Sequence, residues 1–199
     1  MRTATAIFLA MAACLAVTGC VSSKPVHYYT VEAPAPPRNQ ANPEGLVLLV
    51  GAVTTPEELQ DGRIRYRTGS NEAGAYEYHR WIDRPGSMAR TALIGALRDS
   101  GKYRYVLDAG TSAGGDYLLR GTLGEFDEVD QSAIQTRISL YVELVDRKTN
   151  QVVWDRTVER SEPVSAKTVA DVVQSFDRNL QQVAAEVASG VGTFLAGRR

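Results

Sequence analysis

The side chains with the types and spacing to do chemistry are a serine between glycines, two histidines, an acidic run and a cysteine near the start of the chain. Gly110-Thr111-Ser112-Ala113-Gly114 has the G-x-S-x-G spacing that presents a serine hydroxyl as a nucleophile for acyl transfer. That chemistry needs a strand before the turn, a helix after it and a triad histidine later in the chain. Here a strand-like stretch follows the turn, and both histidines, His27 and His79, precede it. The string therefore reads as a Gly/Ser hairpin loop. Two histidines far apart in sequence, with no cysteine beside them, do not supply the ligand set of a zinc site. Asp127-Glu128-Val129-Asp130 lacks the glycine and spacing of an EF-hand loop and reads as a solvated turn. No P-loop and no G-x-G-x-x-G is present. Asp83 and Arg84 read as charges capping the helix that follows, with Trp81 in the core. No catalytic residue, cofactor or metal is expected.

Cys20 is different. It closes Val17-Thr18-Gly19-Cys20, which follows one basic residue, Arg2, and an apolar run from Ala6 to Val17. Basic start, short apolar middle and small residues before the cut are the parts of a secretory signal. A cysteine directly after them resembles a bacterial lipobox, in which the thiol receives a diacylglycerol, the chain is cut before the cysteine and the new amino group is acylated. The apolar run is too short to span a bilayer, which takes ~20 residues, and a plain signal more often ends in Ala-x-Ala. Stable anchoring takes two acyl chains or more, at ~0.8 kcal/mol per buried CH₂, and a triacylated Cys20 meets that condition. The expected organisation is a lipoprotein signal peptide at 1–19, the lipidated cysteine and a short tether at 20–25, and one domain at 26–197. In Gram-negative lipoproteins an Asp after the cysteine favours retention in the inner membrane. By that resemblance Val21 implies the periplasmic face of the outer membrane.

Composition bounds the rest. The chain has 22 basic and 23 acidic residues, and loss of Arg2 leaves 21 against 23, a net charge of −2. Nothing in this resembles the clustered positive charge of a nucleic-acid footprint. Cys14 leaves with the signal, so no thiol remains for a disulfide or a metal. At ~3.3–3.6 Å per residue the tether Val21 to Pro25 reaches under roughly 20 Å, which keeps the domain close to the bilayer.

The elements follow from periodicity. His27 to Val31 is rich in aromatic and β-branched residues and predicts a strand. Prolines 34, 36, 37 and 43 make Ala33 to Pro43 an extended loop. Leu46 to Val53 is an apolar run suited to a buried central strand. Arg63 to Arg67 alternates, and Tyr76 to Trp81 is its partner across a loop from Gly69 to Gly74. Pro85 opens a helix with Met88, Ala92, Leu93 and Leu97 on one stripe, and Gly101 ends it. Tyr103 to Leu107 and Tyr117 to Phe126 are further strands. Ile134 to Leu144 places Ile134, Thr136, Ile138, Leu140, Val142 and Leu144 on one face, and Gln135, Arg137, Ser139, Tyr141 and Glu143 on the other. A turn at 146–150 returns Val152 to Glu159 as a hairpin strand. Val169, Val172, Val173, Phe176, Leu180, Val183, Val187 and Val191 recur at the helix period. Gly190 and Gly192, each costing ~1 kcal/mol inside a helix, predict fraying of the last turn.

A best strand that is polar on one face requires a sheet covered on one side only. The expected fold class is α+β, a two-layer sandwich with a mixed or antiparallel sheet and two main helices on one face.

Several strings, in order, resemble one family. They are Tyr28-Tyr29-Thr30-Val31, the strand from Leu46 leading to Pro56, and the Arg63 to Arg67 strand. Then come Trp81 before a helix ending at Gly101, Tyr117-Leu118-Leu119-Arg120-Gly121 leading to Phe126, and the hairpin from Val142 to Trp154 before the terminal helix. Together they resemble the ABC-type transport auxiliary lipoproteins, the group that includes the paraquat-inducible lipoprotein C, over roughly residues 26–195. Members often carry a Leu-Pro-x-Tyr-Leu-Asp-like stretch, where this chain has Thr54-Thr55-Pro56-Glu57-Glu58-Leu59 and no tyrosine. The resemblance implies a non-catalytic accessory subunit of an envelope system that moves lipids or apolar compounds between membranes. Its partners would be an inner-membrane ABC transporter and a mammalian-cell-entry-type protein. The face carrying Arg137, Tyr141 and Glu143 is the candidate partner surface. A regulator of a peptidoglycan synthase is the rival reading. It calls for a tether long enough to cross the cell wall, and residues 21–25 are too few.

Overall fold

A computed structural model describes residues 24–32, 42, 45–69, 71–110 and 114–198. Cys20, the tether before Lys24, Ser112 and nearly all of the proline-rich loop lie outside the described residues. In chain order the elements are β1 (His27–Tyr29), β2 (Val47–Thr54), β3 (Arg63–Arg67), β4 (Ala73–Trp81), α1 (Pro85–Asp99), β5 (Tyr105–Asp108), β6 (Tyr117–Asp130), β7 (Ile134–Asp146), β8 (Gln151–Pro163) and α2 (Val169–Ala196).

Among the described residues the strands form one mixed sheet of eight, organised around β6. β7 runs antiparallel along the whole of one β6 edge, from Tyr117↔Asp146 to Asp130↔Ile134. The other edge is shared. β2 pairs parallel with its first half, from Leu48↔Tyr117 to Thr54↔Thr122, and β3 with its end, from Arg65↔Asp127 to Arg67↔Val129. β5 lies parallel outside β2, β8 antiparallel outside β7, and β4 antiparallel outside β3. β1 closes that last wing, parallel to β4. The sheet's edges are therefore β8, β5 and β1.

Both helices cover one face. Pro85 supplies the fixed φ of a first helical turn, and Met88, Ala92, Leu93 and Leu97 are buried against the sheet. Gly101 adopts φ +64°, a region glycine enters at little cost, and its N–H bonds the Arg98 carbonyl at 3.1 Å to close the helix. Thr168 caps α2 by accepting from the Asp171 N–H at 3.2 Å. The helix buries its predicted stripe from Val172 to Val191 beside α1. At the centre Phe126 and Phe176 stack with centroids 4.4 Å apart, and Trp81 meets both edge-on at 5.6 and 5.4 Å. The expected α+β sandwich is the architecture observed.

The structure corrects three local expectations. α2 does not fray at its glycines but continues through both to Ala196. Gly190 lies under the Trp154 indole, where a Cβ would come within 3.0 Å of the ring, so tertiary packing there offsets its low helix propensity. β6 does not stop at Phe126. It runs on to Asp130, so the supposed solvated turn is paired strand, with Asp127 and Glu128 both buried. Arg84 occupies the N-cap of α1 with an extended backbone but without a side-chain capping bond. The family-variant stretch after β2 forms a short 3₁₀ turn, Glu57–Leu59, with Leu59 turned into the core.

Candidate partner surface

The face of the sheet away from the helices carries every candidate of the β7 strand. Ile138, Leu140, Val142 and Leu144 point into the core, so alternation sends Arg137, Ser139, Tyr141 and Glu143 outward. Tyr141 is 37% exposed, and its hydroxyl donates to Glu143 Oε2 at 3.4 Å. Glu143 is also paired with Arg120, its register neighbour on β6. This network holds the phenol upright beside β8, whose outward residues here are Asp155 and Thr157. Thr122 stands opposite Tyr141 on β6, and its hydroxyl lies 2.9 Å from that of Thr54. The result is a largely polar patch around one partly exposed aromatic ring, a composition suited to contact with another protein.

Arg137 belongs to a second cluster, farther along the same face. It stands opposite Asp127, which is only 2% exposed although it faces away from both described helices. Arg67 Nε donates to Asp127 Oδ2 at 2.6 Å, and Arg65 Nε lies 3.5 Å from Oδ1. The hydrogen bond from Arg67 and the charge beside it hold the Arg67 guanidinium even more firmly protonated than usual.

One residue on, Glu128 points to the helix side. It accepts from the Tyr76 hydroxyl at 2.8 Å, beside Tyr66, whose ring meets Tyr76 edge-on at 5.4 Å. Burial pushes the Glu128 carboxyl above the ordinary carboxylate range, the Tyr76 bond opposes this, and Asp130 adds to it. Burial also raises the Tyr76 phenol, and its hydrogen bond to Glu128 adds to the rise.

The histidines that looked unrelated in sequence meet here. Parallel pairing of β1 with β4 places His27 opposite His79, and their rings stack at 5.3 Å. The Tyr29 hydroxyl lies 2.9 Å from His79 Nδ1. Burial and the neighbouring His27 lower the His79 pKa. No group of three or more metal-ligating side chains exists among the described residues. Trp81 is core, while Asp83 and Arg84 are exposed and form no polar pocket with it. Sequence reasoning missed the acid pair and the histidine pair. Only the register of strands distant in sequence reveals them.

A family model described as the ABC-type transport auxiliary lipoprotein component matches residues 29–188. The chain belongs to that family. The match covers both wings of the sheet, α1 and most of α2, so the candidate surface lies within the family's domain and not on an appendage. Protein XCC0632 from Xanthomonas campestris shares the fold, with a TM-score of 0.76 at 23% identity over 87% of this chain and 98% of that one. A structure described as an uncharacterized protein superposes with a TM-score of 0.68 at 17% identity, over 84% of this chain and 99% of that one. The hypothetical protein CT253 from Chlamydia trachomatis gives 0.52 at 10% identity, over 77% and 99%. No curated protein sequence matches this auxiliary lipoprotein. No helix among the described residues is long and apolar enough to cross a membrane.

Proposed function

We propose that the protein is a non-catalytic accessory subunit of an ABC-driven envelope transport system, anchored through acyl chains on Cys20 to the periplasmic face of the outer membrane. In this reading it receives a mammalian-cell-entry-type protein, whose partner is an inner-membrane ABC transporter, and the cargo is lipid or a related apolar compound. The family match over residues 29–188 carries the proposal. Two physical features support it. The tether is too short to let the domain leave the bilayer, which suits a fixed docking point. The open face presents the exposed Tyr141 ring beside the Arg120–Glu143 pair, an aromatic side chain with few rotatable bonds to order when a partner binds.

The test is affinity recovery of the full-length lipoprotein from chemically crosslinked envelopes. Recovery of a mammalian-cell-entry-type protein is expected. Recovery of cell-wall synthases alone would overturn the reading. Replacing Cys20 with Ser should abolish labelling by radioactive palmitate, and undiminished labelling would refute the anchor.

A further inference from the structure

We infer that the β1–β4 corner of the open face rests on the anionic headgroups of the leaflet that holds the acyl chains. This rests on the proposed acylation of Cys20 and adds to it an orientation. Six large apolar side chains are exposed among the described residues, and three of them gather at this corner. They are Val26 at 39%, Tyr28 at 63% and Ile82 at 64%. The backbone explains the gathering. Tyr29 packs inward beside the core, so Val26 and Tyr28 face the other way. Ile82 directly follows β4, its N–H bonded to the Tyr29 carbonyl at 2.8 Å.

Cations surround these residues. Lys24 stands 5.5 Å over the Tyr78 ring, and Arg80 is the register partner of Tyr28, with its Nε buried and lacking a hydrogen-bond partner. Arg84 is exposed beyond Ile82. The exposed acids at the border are Glu77, Asp83 and Asp61, the last paired with Arg63, so the four cations Lys24, Arg63, Arg80 and Arg84 leave a small positive excess. Apolar and aromatic side chains ringed by Lys and Arg suit the boundary between acyl chains and headgroups.

Position favours lipid over any other occupant. Four steps of chain separate Cys20 from Lys24, a reach of at most roughly 14 Å. A domain leashed that closely at this corner brings this corner to the leaflet. A second protein adding a strand is a poorer occupant, because β1 has only three residues and Pro25, two residues before it, lacks a donor.

Loss of Cys14 and acylation of Cys20 leave no free thiol, so an introduced cysteine is a unique labelling site. The full-length acylated protein carrying Ile82→Cys or, as a control, Val152→Cys is labelled with a fluorophore. It is then reconstituted into vesicles of phosphatidylcholine and phosphatidylglycerol. The Ile82 label is expected to resist aqueous iodide several-fold better than the Val152 label, and to be quenched by headgroup-labelled lipid. Charge reversal by Lys24→Glu with Arg84→Glu, both at exposed positions, should reduce that protection while circular dichroism stays unchanged. Equal iodide quenching at the two labels, with mass spectrometry showing acylated Cys20, would overturn the orientation alone. A mature terminus without acyl groups would overturn the anchor reading and the orientation with it.

Discussion

Asp127 and Glu128 are neighbours in β6, both almost wholly buried, yet they point to opposite faces and are accommodated by opposite means. Glu128 lies under the helix layer, where burial favours the protonated acid and the Tyr76 hydroxyl is its main partner. Asp127 lies on the face away from both helices, where the Arg65 and Arg67 guanidiniums pair with it. The contrast shows how this sheet manages two different surfaces. One is closed mainly by apolar packing, and the polar groups buried there, Glu128, Thr136, Ser175 and Asn179, are met by neutral hydrogen-bond partners. The other closes over a charge by bringing guanidiniums across from β3, and leaves its far end open around Tyr141.

The largest effect expected from disturbing this contrast is on the packed side. Phe176→Ala removes the ring stacked at 4.4 Å on Phe126 and edge-on to Trp81. A loss of ~3–5 kcal/mol in unfolding free energy is expected, measured by urea denaturation. A loss below about 1 kcal/mol would show that the three rings are not the centre of the core.

On the other face, Asp127→Ala leaves two guanidiniums facing each other. Breaking a fully buried pair costs ~3–5 kcal/mol. The Arg65 and Arg67 side chains retain 15% and 31% exposure, so solvent screens part of that loss. A cost of about 2 kcal/mol is expected. Raised salt should narrow the gap between variant and parent, because ions screen the remaining like charges. A salt-independent cost would assign Asp127 a packing role instead.

How far the sequence anticipates the two faces differs for a physical reason. The Ile134 to Leu144 alternation and the α2 stripe are local periodicities, and each settles which way a side chain points. Two-layer architecture follows from them. The acid pair escapes a local reading because Asp127-Glu128-Val129-Asp130 has the composition of a turn, whereas strand pairing on both sides extends β6 through it. Their partners, Arg65, Arg67 and Tyr76, come from another wing of the sheet. The stacking of His27 on His79 is likewise set by parallel pairing of β1 with β4, which no local pattern encodes. Gly190 departs from its helix propensity because propensity is local, while Trp154, which fills the space beside it, arrives from β8. That Arg137, Tyr141 and Glu143 share one face is legible because they lie on a single alternating strand.

A milder perturbation separates the two acids by pH. The Glu128 carboxyl is raised in the folded state, so the fold binds its proton more tightly than the unfolded chain does. Its contribution is therefore most favourable at low pH, and declines as pH rises from the unfolded value of 4.5 through the raised folded one. Glu128→Gln keeps an acceptor for Tyr76 and carries no charge. The variant should match the parent in acid and equal or exceed it in melting temperature at neutral pH. A variant that is less stable at neutral pH, and not in acid, would show that the ionised carboxylate is the form the fold prefers.

The smallest effect on folding is expected at Tyr141, and that is its value as a probe. Its ring is 37% exposed, and its one side-chain bond, to Glu143, is long at 3.4 Å. Tyr141→Ala should shift stability by no more than about 0.5 kcal/mol, the usual range for surface substitutions. If the open face receives the partner, the same change should cut recovery of the mammalian-cell-entry-type protein from crosslinked envelopes several-fold, since exposed aromatic anchors often carry much of an interface's energy. Ser139→Ala, a neighbour on the same strand face, should change neither quantity. Equal recovery with Tyr141→Ala and with the parent would move the docking site off the middle of β7. The Arg65–Asp127–Arg67 end would then be the next part of the open face to examine.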